Sequence, residues 1–231
     1  MRTVALVFIY TVIIILVTPV VLICMALGWR GPLVAIGRWA MALSRAVLGI
    51  RIEVEGREHI PRGQPAVYMA NHLSFLDGPL LFLILPPPVR VILKKSIFRI
   101  PVVGFGMRFV GFIPVDRKGK EGGKKSILRA ARMMKQRGYS FFMFPEGTRS
   151  RDGRLQAFRR GGFFLALEAQ APIAPVVIRG TFEIMPKGAF FVRRGTVRVT
   201  FLEPVPTAGL DLKDLDALRD AVRAALAAVK D

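Results

Sequence analysis

Residues 66–77, Ala66-Val67-Tyr68-Met69-Ala70-Asn71-His72-Leu73-Ser74-Phe75-Leu76-Asp77, join a short apolar run to a polar segment and then to a second apolar stretch. The first five residues predict a buried strand, because a short apolar run of this length is typical of one. Residues 75–85 predict a helix that ends at Pro86-Pro87-Pro88, since proline interrupts helices. His72 therefore lies where a strand passes into a helix.

The chain from residue 51 onward repeats this alternation of strand and helix. Alternation of this kind predicts an α/β fold, in which functional side chains gather in the loops after strand carboxyl ends. The predicted strands are 52–55, 66–70, 89–93, 112–115, 139–144, 174–178 and 196–202, and the predicted helices are 75–85, 124–137, 162–169 and 211–230. Pro114 predicts that its strand lies at an edge of the sheet. We expect residues 51–231 to form one domain.

The first fifty residues differ from the rest and predict a separate membrane-anchoring segment. Residues 4–27 contain no charged side chain. A helix of that length could cross a hydrocarbon core of ~30 Å, at 1.5 Å per residue. One expectation is therefore a single span with the body of the protein in the cytoplasm, because Arg30, Arg38 and Arg45 all follow the apolar run.

The alternative is a helix that dips into one leaflet and returns. Thr18-Pro19 could kink the apolar run, and residues 28–32 predict a turn. Residues 33–49 would then form an interfacial helix with Arg38 and Arg45 on one face. Both arrangements attach the protein to a membrane.

The charge balance indicates an anionic partner. The formal net charge is +19, and residues 90–160 hold 19 basic and 4 acidic side chains. Lipid head groups, phosphorylated metabolites and nucleic acid would each suit such a field, and a solvated basic face is the simplest alternative. Nucleic acid is not expected, because no basic-aromatic ribonucleoprotein motif occurs. The single cysteine, Cys24, excludes a disulfide within the chain and a multi-cysteine zinc site.

His72 and Asp77 are the strongest candidates for proton chemistry, because a carboxylate beside a histidine makes a general base. The two side chains can meet only if His72 precedes the helix, since residues five apart on a helix point in different directions. Ser74 and Asp77 have the spacing of a capping box, with Ser74 as N-cap. The same spacing fits a purely structural cap beside an ordinary loop histidine. A nucleophilic role for Ser74 is disfavoured, since no Gly-x-Ser-x-Gly elbow occurs.

The sequence contains no complete phosphate-binding loop. Lys118 and Lys125 replace the opening glycine and the Ser/Thr of the motif around Gly123-Lys124. Separate basic residues follow predicted strands instead, namely Lys94, Arg117 and Arg149, and arginine binds phosphate through two parallel hydrogen bonds.

Four ordered blocks carry a family resemblance. They are Asn71-His72-x-Ser74-x-x-Asp77, then Gly111 to Arg117 (GFIPVDR), then Phe144 to Ser150 (FPEGTRS), then Ala171 to Val176 (APIAPV). Together they resemble the blocks of the glycerolipid acyltransferase family, and most closely the bacterial 1-acyl-sn-glycerol-3-phosphate acyltransferases. The resemblance covers about residues 50–205 and implies a mixed-sheet αβ acyltransferase domain behind the segment 1–50.

The resemblance also implies a reaction and its residues. His72 would remove a proton from the sn-2 hydroxyl of lysophosphatidic acid, Asp77 would orient His72, and the acyl group would come from acyl-CoA or acyl-carrier protein without a covalent acyl-enzyme. No metal or cofactor is implied. The location implied is a bacterial-type inner membrane, with the catalytic domain on the cytoplasmic side. The motif positions expected to bind substrate are Asn71, Ser74, Lys94, Arg117, Glu146, Gly147, Thr148 and Arg149.

Two other functions remain open on the sequence. The acceptor could be another lysophospholipid or a lyso-ornithine lipid, because the donor chemistry would leave the same motifs. A non-catalytic basic module that binds membranes or nucleic acid is the alternative of a different class. That alternative predicts that His72→Ala leaves function intact and that binding falls steeply with salt.

Overall fold

The structure is a computed structural model that describes residues 2–115 and 120–229. Within these residues seven strands form one sheet in the order β1-β7-β6-β2-β5-β3-β4. The strands are β1 (Ile50–Glu55), β2 (Val67–Ala70), β3 (Val89–Lys94), β4 (Ile113–Val115), β5 (Ser140–Met143), β6 (Ile173–Arg179) and β7 (Gly195–Phe201). Each coincides with a predicted strand, and β4, which contains Pro114, lies at an edge as expected.

The sheet is mixed, which confirms the expected fold class. Strands β6, β2, β5, β3 and β4 are mutually parallel, whereas β7 pairs antiparallel with β6 and parallel with β1. The carboxyl ends of the five parallel strands therefore meet at one edge, called the carboxyl edge here, and their amino ends meet at the opposite amino edge. Loops from strands distant in sequence come together at each edge.

Helices cover both faces of the sheet. They are α1 (Arg2–Ala26), α2 (Arg30–Leu48), α3 (Asp77–Ile84), α4 (Val103–Phe109), α5 (Lys120–Arg137), α6 (Gly161–Ala169), α7 (Thr181–Ile184) and α8 (Leu215–Ala228). Successive residues of a strand point to opposite faces. Tyr68 and Ala70 of β2 accordingly pack in the core under α2 and α3, while Val67 and Met69 pack in the core under α5, α6 and α8. Both layers are needed to bury β2 completely.

The N-terminal segment forms two helices joined by a short turn. The turn occupies residues 27–29, and Gly28 adopts a φ of +72° there. The predicted turn over 28–32 is too long, because Gly31 and Pro32 lie in the first turn of α2, where proline is tolerated. In the part of the chain that is described, none of the helices has the length and apolar character needed to cross a membrane.

Arg38 of α2 has a different environment from the one expected. Its guanidinium donates hydrogen bonds of 2.7, 2.5 and 3.0 Å to the carbonyl oxygens of Phe82, Leu83 and Leu85, which close the carboxyl end of α3. A cation at this end of a helix satisfies unpaired carbonyls and opposes the helix dipole. Arg38 thus packs against α3 inside the protein, whereas the interfacial-helix alternative had placed it with Arg45 on one helical face. Trp39, next to it, is exposed.

The other differences concern boundaries and short elements. Helices α4 and α7 are not among the predicted helices, and α5 begins at Lys120, four residues before its predicted start. The C-terminal helix, predicted over 211–230, is divided into a 3-10 turn at Leu212–Asp214 and α8, with a capping box between Asp211 and Asp214.

Candidate active site

His72 lies directly after β2 at the carboxyl edge. Its ring stacks on Phe144, which follows the neighbouring strand β5, with ring centres 3.9 Å apart and planes 8° from parallel. The side chain is 15% exposed, so one ring edge reaches the surface. The adjacency of β2 and β5 thus fixes the plane of the imidazole.

Asp77 fixes the other side of the imidazole. Its Oδ2 atom lies 2.9 Å from His72 Nδ1 and accepts backbone hydrogen bonds from Leu73 and Ser74 at 2.7 and 2.8 Å. Because this oxygen is an acceptor for all three groups, Nδ1 carries the proton in the neutral ring. The lone pair of Nε2 is then available to take a proton from a substrate, as a general base requires.

The capping box predicted for Ser74 and Asp77 is only half formed. The Ser74 N–H donates to Asp77 as predicted, but the Ser74 hydroxyl accepts from the Leu76 N–H and donates to the Met185 carbonyl at 2.7 Å. Helix α3 begins at Asp77 itself. The consequence is functional, because residues 72–76 form a tight loop that brings Asp77 back to His72.

The loop after β5 holds the backbone of His72 from both sides. Glu146 Oε1 accepts a hydrogen bond of 2.7 Å from the His72 N–H, and the Ser150 N–H donates one of 2.8 Å to the His72 carbonyl. These two contacts join the first and third sequence blocks into one unit. The position of the histidine therefore depends on the FPEGTRS loop as much as on β2.

Glu146 is buried, with 3% of its surface exposed, and both of its carboxylate oxygens are occupied. The second oxygen accepts hydrogen bonds of 2.9 and 3.1 Å from the backbone and side-chain nitrogens of Gln156. Burial raises the pKa of Glu146, while the hydrogen bonds from Gln156 and His72 oppose that rise. The expected substrate contact is replaced by a positioning contact, because no oxygen of Glu146 faces outward.

Asn71 and Ser74 were also expected at the substrate and instead have supporting contacts. The Asn71 amide donates to the Ile178 carbonyl at 2.8 Å and accepts from the Ile178 N–H at 2.7 Å. This pair of bonds ties the end of β2 to β6. Ser74 is fully buried beneath the loop at Met185. Both side chains are thereby committed to holding the His72 segment.

The tip of the FPEGTRS loop faces outward. Gly147 has a φ of +71°, and a Cβ there would lie 2.6 Å from Arg159 Nε, so the turn requires glycine. Thr148 is exposed and Arg149 is half-buried. Lys187 donates to the Thr148 hydroxyl at 3.2 Å and to the Arg149 carbonyl at 2.9 Å. This lysine adds a cation to the site.

Lys94 and Arg117 complete the set of predicted residues. Lys94 is the last residue of β3 and is exposed at the carboxyl edge, on the same edge as His72. Arg117 lies outside the described residues. No group of three His, Cys, Asp or Glu side chains able to hold a metal ion occurs between residues 2 and 115 or between 120 and 229.

Several contributors to this site were not predicted from the sequence. They are Phe144, Gln156, Ile178, Met185 and Lys187. The only sequence signal was for Phe144, which opens the FPEGTRS block. The others lie outside the four blocks or act through backbone atoms, which side-chain patterns do not report.

Known proteins are similar to this chain in sequence. A family model described as Acyltransferase matches residues 51–179. The chloroplastic 1-acyl-sn-glycerol-3-phosphate acyltransferase LPAT1 of Arabidopsis thaliana is 38% identical over 164 residues, which cover 70% of this chain and 46% of that protein. The 1-acyl-sn-glycerol-3-phosphate acyltransferase alpha of Homo sapiens is 35% identical over 175 residues, or 76% of this chain and 62% of that protein. The chain thus spans about half to three fifths of these relatives.

A solved structure has the same fold over nearly the whole chain. The crystal structure of the 1-acyl-sn-glycerophosphate (LPA) acyltransferase PlsC from Thermotoga maritima has a TM-score of 0.79 and 26% sequence identity, and the match covers 99% of this chain and 96% of that one. The family model covers more than half of the chain and includes His72, Asp77 and Glu146. The chain belongs to the acyltransferase family.

Proposed function

We propose that this protein transfers an acyl group from a thioester, either acyl-CoA or acyl-carrier protein, to the sn-2 hydroxyl of 1-acyl-sn-glycerol 3-phosphate. The product is phosphatidic acid, for phospholipid biosynthesis. The proposal rests above all on the 2.9 Å hydrogen bond between His72 Nδ1 and Asp77 Oδ2, which leaves Nε2 as the proton acceptor. The printed names of the similar proteins support this acceptor.

The reaction needs one base and no covalent intermediate. His72 Nε2 takes the proton of the acceptor hydroxyl while the oxygen attacks the thioester carbonyl carbon. The imidazolium that forms is stabilised by Asp77. The tetrahedral adduct then breaks its C–S bond, and the leaving thiolate takes the proton back from His72. An ester and a free thiol result, with the enzyme unchanged.

The cations around the site are assigned to the acceptor phosphate. Arg149 and Lys187 lie together at the FPEGTRS loop, and Lys94 lies on the same edge. Arg117 is included on the sequence resemblance alone. A phosphate monoester carries nearly two negative charges at neutral pH, so several cations favour its binding over that of a phosphate-free acceptor.

We also propose that the protein works on the cytoplasmic side of a bacterial-type inner membrane. Helices α1 and α2 and the turn between them expose large apolar side chains, including Leu16, Leu22, Trp29 and Trp39 at 55% or more of their surface. Exposed apolar surface of this extent is typical of a contact with lipid or another protein. Arg30 and Arg45 after the apolar run favour the cytoplasmic side.

A thiol-release assay tests the proposal directly. Purified protein is mixed with acyl-CoA and lysophosphatidic acid, and free thiol and lipid product are both measured, for wild type and for His72→Ala. We expect release that requires the acceptor and disappears in the variant. Equal release without acceptor would indicate a thioesterase. Acyl-carrier protein, other lysophospholipids and a lyso-ornithine lipid in the same assay identify the preferred donor and acceptor.

A further inference from the structure

A second basic site lies at the amino edge of the sheet, away from His72. Five arginines, Arg30, Arg108, Arg129, Arg132 and Arg137, line a cleft of about 360 Å³, which we name the arginine cleft. It lies beside Gly111, which precedes β4, and beside the start of β5. Strand β3 separates the two edges by six residues, or roughly 20 Å. A ligand in this cleft cannot also contact His72.

Among the described residues, no carboxylate is paired with the arginines of the cleft. None of the ion pairs found in the described chain involves any of its five arginines. The guanidinium of Arg30 lies over the Phe109 ring, 5.5 Å from its centre, and its buried Nε has no acceptor among the described residues. Like charges held this close repel each other, and an unpaired buried donor costs free energy. An anion would relieve both.

A buried arginine lies behind the lining of the cleft. Behind Gly111, the buried Arg90 lies over the Tyr139 ring, with 4.1 Å between its guanidinium carbon and the ring centre. Burial raises the pKa of Tyr139, but the charge and hydrogen bond of Arg90, a hydrogen bond from Arg137 and the charge of Arg30 together lower it below its ordinary value. Arg90 thus places a further positive charge behind the arginines of the cleft.

The surroundings of the cleft indicate which anion it takes. Arg30 directly follows Leu27 and Trp29 of the α1–α2 turn, and Arg108 follows Phe105 in α4; all three apolar side chains are more than half exposed. Helices α1 and α4 contact each other. Arginine binds phosphate oxygens in pairs. A phosphate joined to acyl chains matches this combination better than a fully hydrated anion does.

We propose that the arginine cleft binds the phosphate group of an anionic phospholipid, at a site separate from the catalytic one. The acyl chains would lie along the exposed apolar side chains of α1 and α4. Such a contact would fix the orientation of the protein on the membrane. The inference needs no substrate turnover, so it stands or fails independently of the proposed acyl transfer.

Vesicle flotation with the full chain tests the proposal. Binding is compared for vesicles of phosphatidylcholine alone and vesicles containing one third phosphatidylglycerol, and the ratio of the two cancels the apolar contribution. We expect Arg129→Gln/Arg132→Gln to lower this ratio about 10-fold or more, since each basic residue at an anionic membrane contributes on the order of 1 kcal/mol. The control Arg51→Gln/Arg57→Gln removes the same charge from exposed positions at the β1 edge. Equal losses in both variants would overturn the proposal.

A charge-preserving variant distinguishes specific binding of phosphate by the guanidinium groups from general attraction to a basic surface. Arg129→Lys/Arg132→Lys keeps the charge but removes the paired hydrogen bonds of the guanidinium. We expect a loss of about threefold in the same ratio. Full retention of wild-type binding would overturn the proposal in favour of a diffuse basic surface. Circular dichroism and thermal unfolding check the fold, and Arg108→Gln/Arg137→Gln provides a second pair if the first pair is unstable.

Soluble phosphates distinguish the lipid from a free ligand. Inorganic phosphate and glycerol 3-phosphate are titrated into wild type and Arg129→Gln/Arg132→Gln by calorimetry. The lipid proposal predicts at most weak heats with either probe and a cleft-dependent preference for anionic vesicles. Tight cleft-dependent binding of a soluble phosphate, together with unchanged vesicle preference, would show that the cleft serves a free phosphate compound and would overturn the lipid assignment.

Discussion

The two edges of the sheet use charge in opposite ways. At the carboxyl edge, the charged groups nearest to His72 are buried and hydrogen-bonded: Asp77 accepts three bonds through one oxygen, and Glu146 uses both oxygens. At the amino edge, five arginines surround a cleft without any acidic partner among the described residues. The first arrangement holds one side chain in one orientation. The second retains its attraction for a mobile anion.

This difference corresponds to two roles of charged side chains, namely positioning a catalytic group and binding a ligand. A catalytic base must keep its geometry through the reaction, so its supporting groups are most useful when buried and fully bonded. A site for an exchangeable anion must leave its donors unpaired until the ligand arrives. Substitutions at the carboxyl edge should therefore change the rate, whereas substitutions at the amino edge should change charge-dependent properties.

The largest effect is expected from His72→Ala. Loss of the general base should lower turnover about 10³-fold, within the range that such catalysis contributes. Asp77 keeps two backbone donors in this variant, so we expect the melting temperature to change little. The product assay and thermal unfolding measure the two quantities on one preparation. A large loss of stability with the same loss of activity would mean that His72 is chiefly structural.

Asp77→Asn should lower both the turnover rate and the stability of the fold. The amide oxygen can still accept hydrogen bonds but carries no charge to stabilise the imidazolium, and we expect turnover to fall about 100-fold. An amide also places a donor in a pocket where Asp77 Oδ1 has no partner among the described residues. An unsatisfied buried donor costs about 1–3 kcal/mol in the free energy of unfolding. Unchanged stability in chemical denaturation would contradict the buried contacts assigned to Asp77.

Gln156→Ala tests a residue that acts only through another. Its side chain donates to Glu146, which in turn holds the His72 N–H. Removing one of the two Gln156 donors should lower kcat about threefold to tenfold with little change in KM, since a small displacement of a base slows the chemical step. Gln64→Ala, at an exposed position, is the matched control. A change in KM alone would argue for direct substrate contact instead.

Glu146→Gln should change how stability depends on pH. Burial raises the pKa of Glu146 above its ordinary 4.5, so its contribution to the free energy of unfolding is greatest below that pH and decreases as the pH rises through the folded pKa. Glutamine does not titrate, and the variant lacks this decrease. The wild-type minus variant difference should therefore fall as the pH rises from 4.5 towards neutrality. A difference that rises over this interval would show that the hydrogen bonds outweigh burial.

Local patterns predicted most of the elements and the pairing of His72 with Asp77. The central strands were placed from short apolar runs, which strands buried on both faces need, and β1 and β7 were placed from alternation of apolar and polar residues. The approach of His72 to Asp77 was also predictable, since five residues at the entrance of a helix can fold only into a tight loop. Recognition of the four ordered blocks, now confirmed as those of the acyltransferase family, supplied the other predicted site residues.

Long-range pairing could not be predicted in the same way. Asn71 bonds to Ile178, 107 positions away, because β2 lies next to β6, and no local pattern specifies that neighbour. Glu146 was expected at the substrate because the sequence of the FPEGTRS block does not show whether its carboxylate points into the protein or towards the surface. Arg38 was placed at the membrane by helical spacing, whereas the carboxyl end of α3 supplies its acceptors.

The smallest effect is expected from a single arginine of the cleft. Arg132→Gln removes one of five like charges that have no carboxylate partner among the described residues, and it should raise the melting temperature by roughly 1 °C at low salt. Arg219→Gln is the matched control, because Arg219 of α8 pairs with Asp216 and Asp220 at 2.9 and 3.0 Å, and its loss should lower the melting temperature. Both shifts should shrink at ~1 M salt, where the screening length falls to about 3 Å. Shifts of the same sign would mean that the cleft arginines are already neutralised in the folded chain, and the contrast between the two edges would not hold.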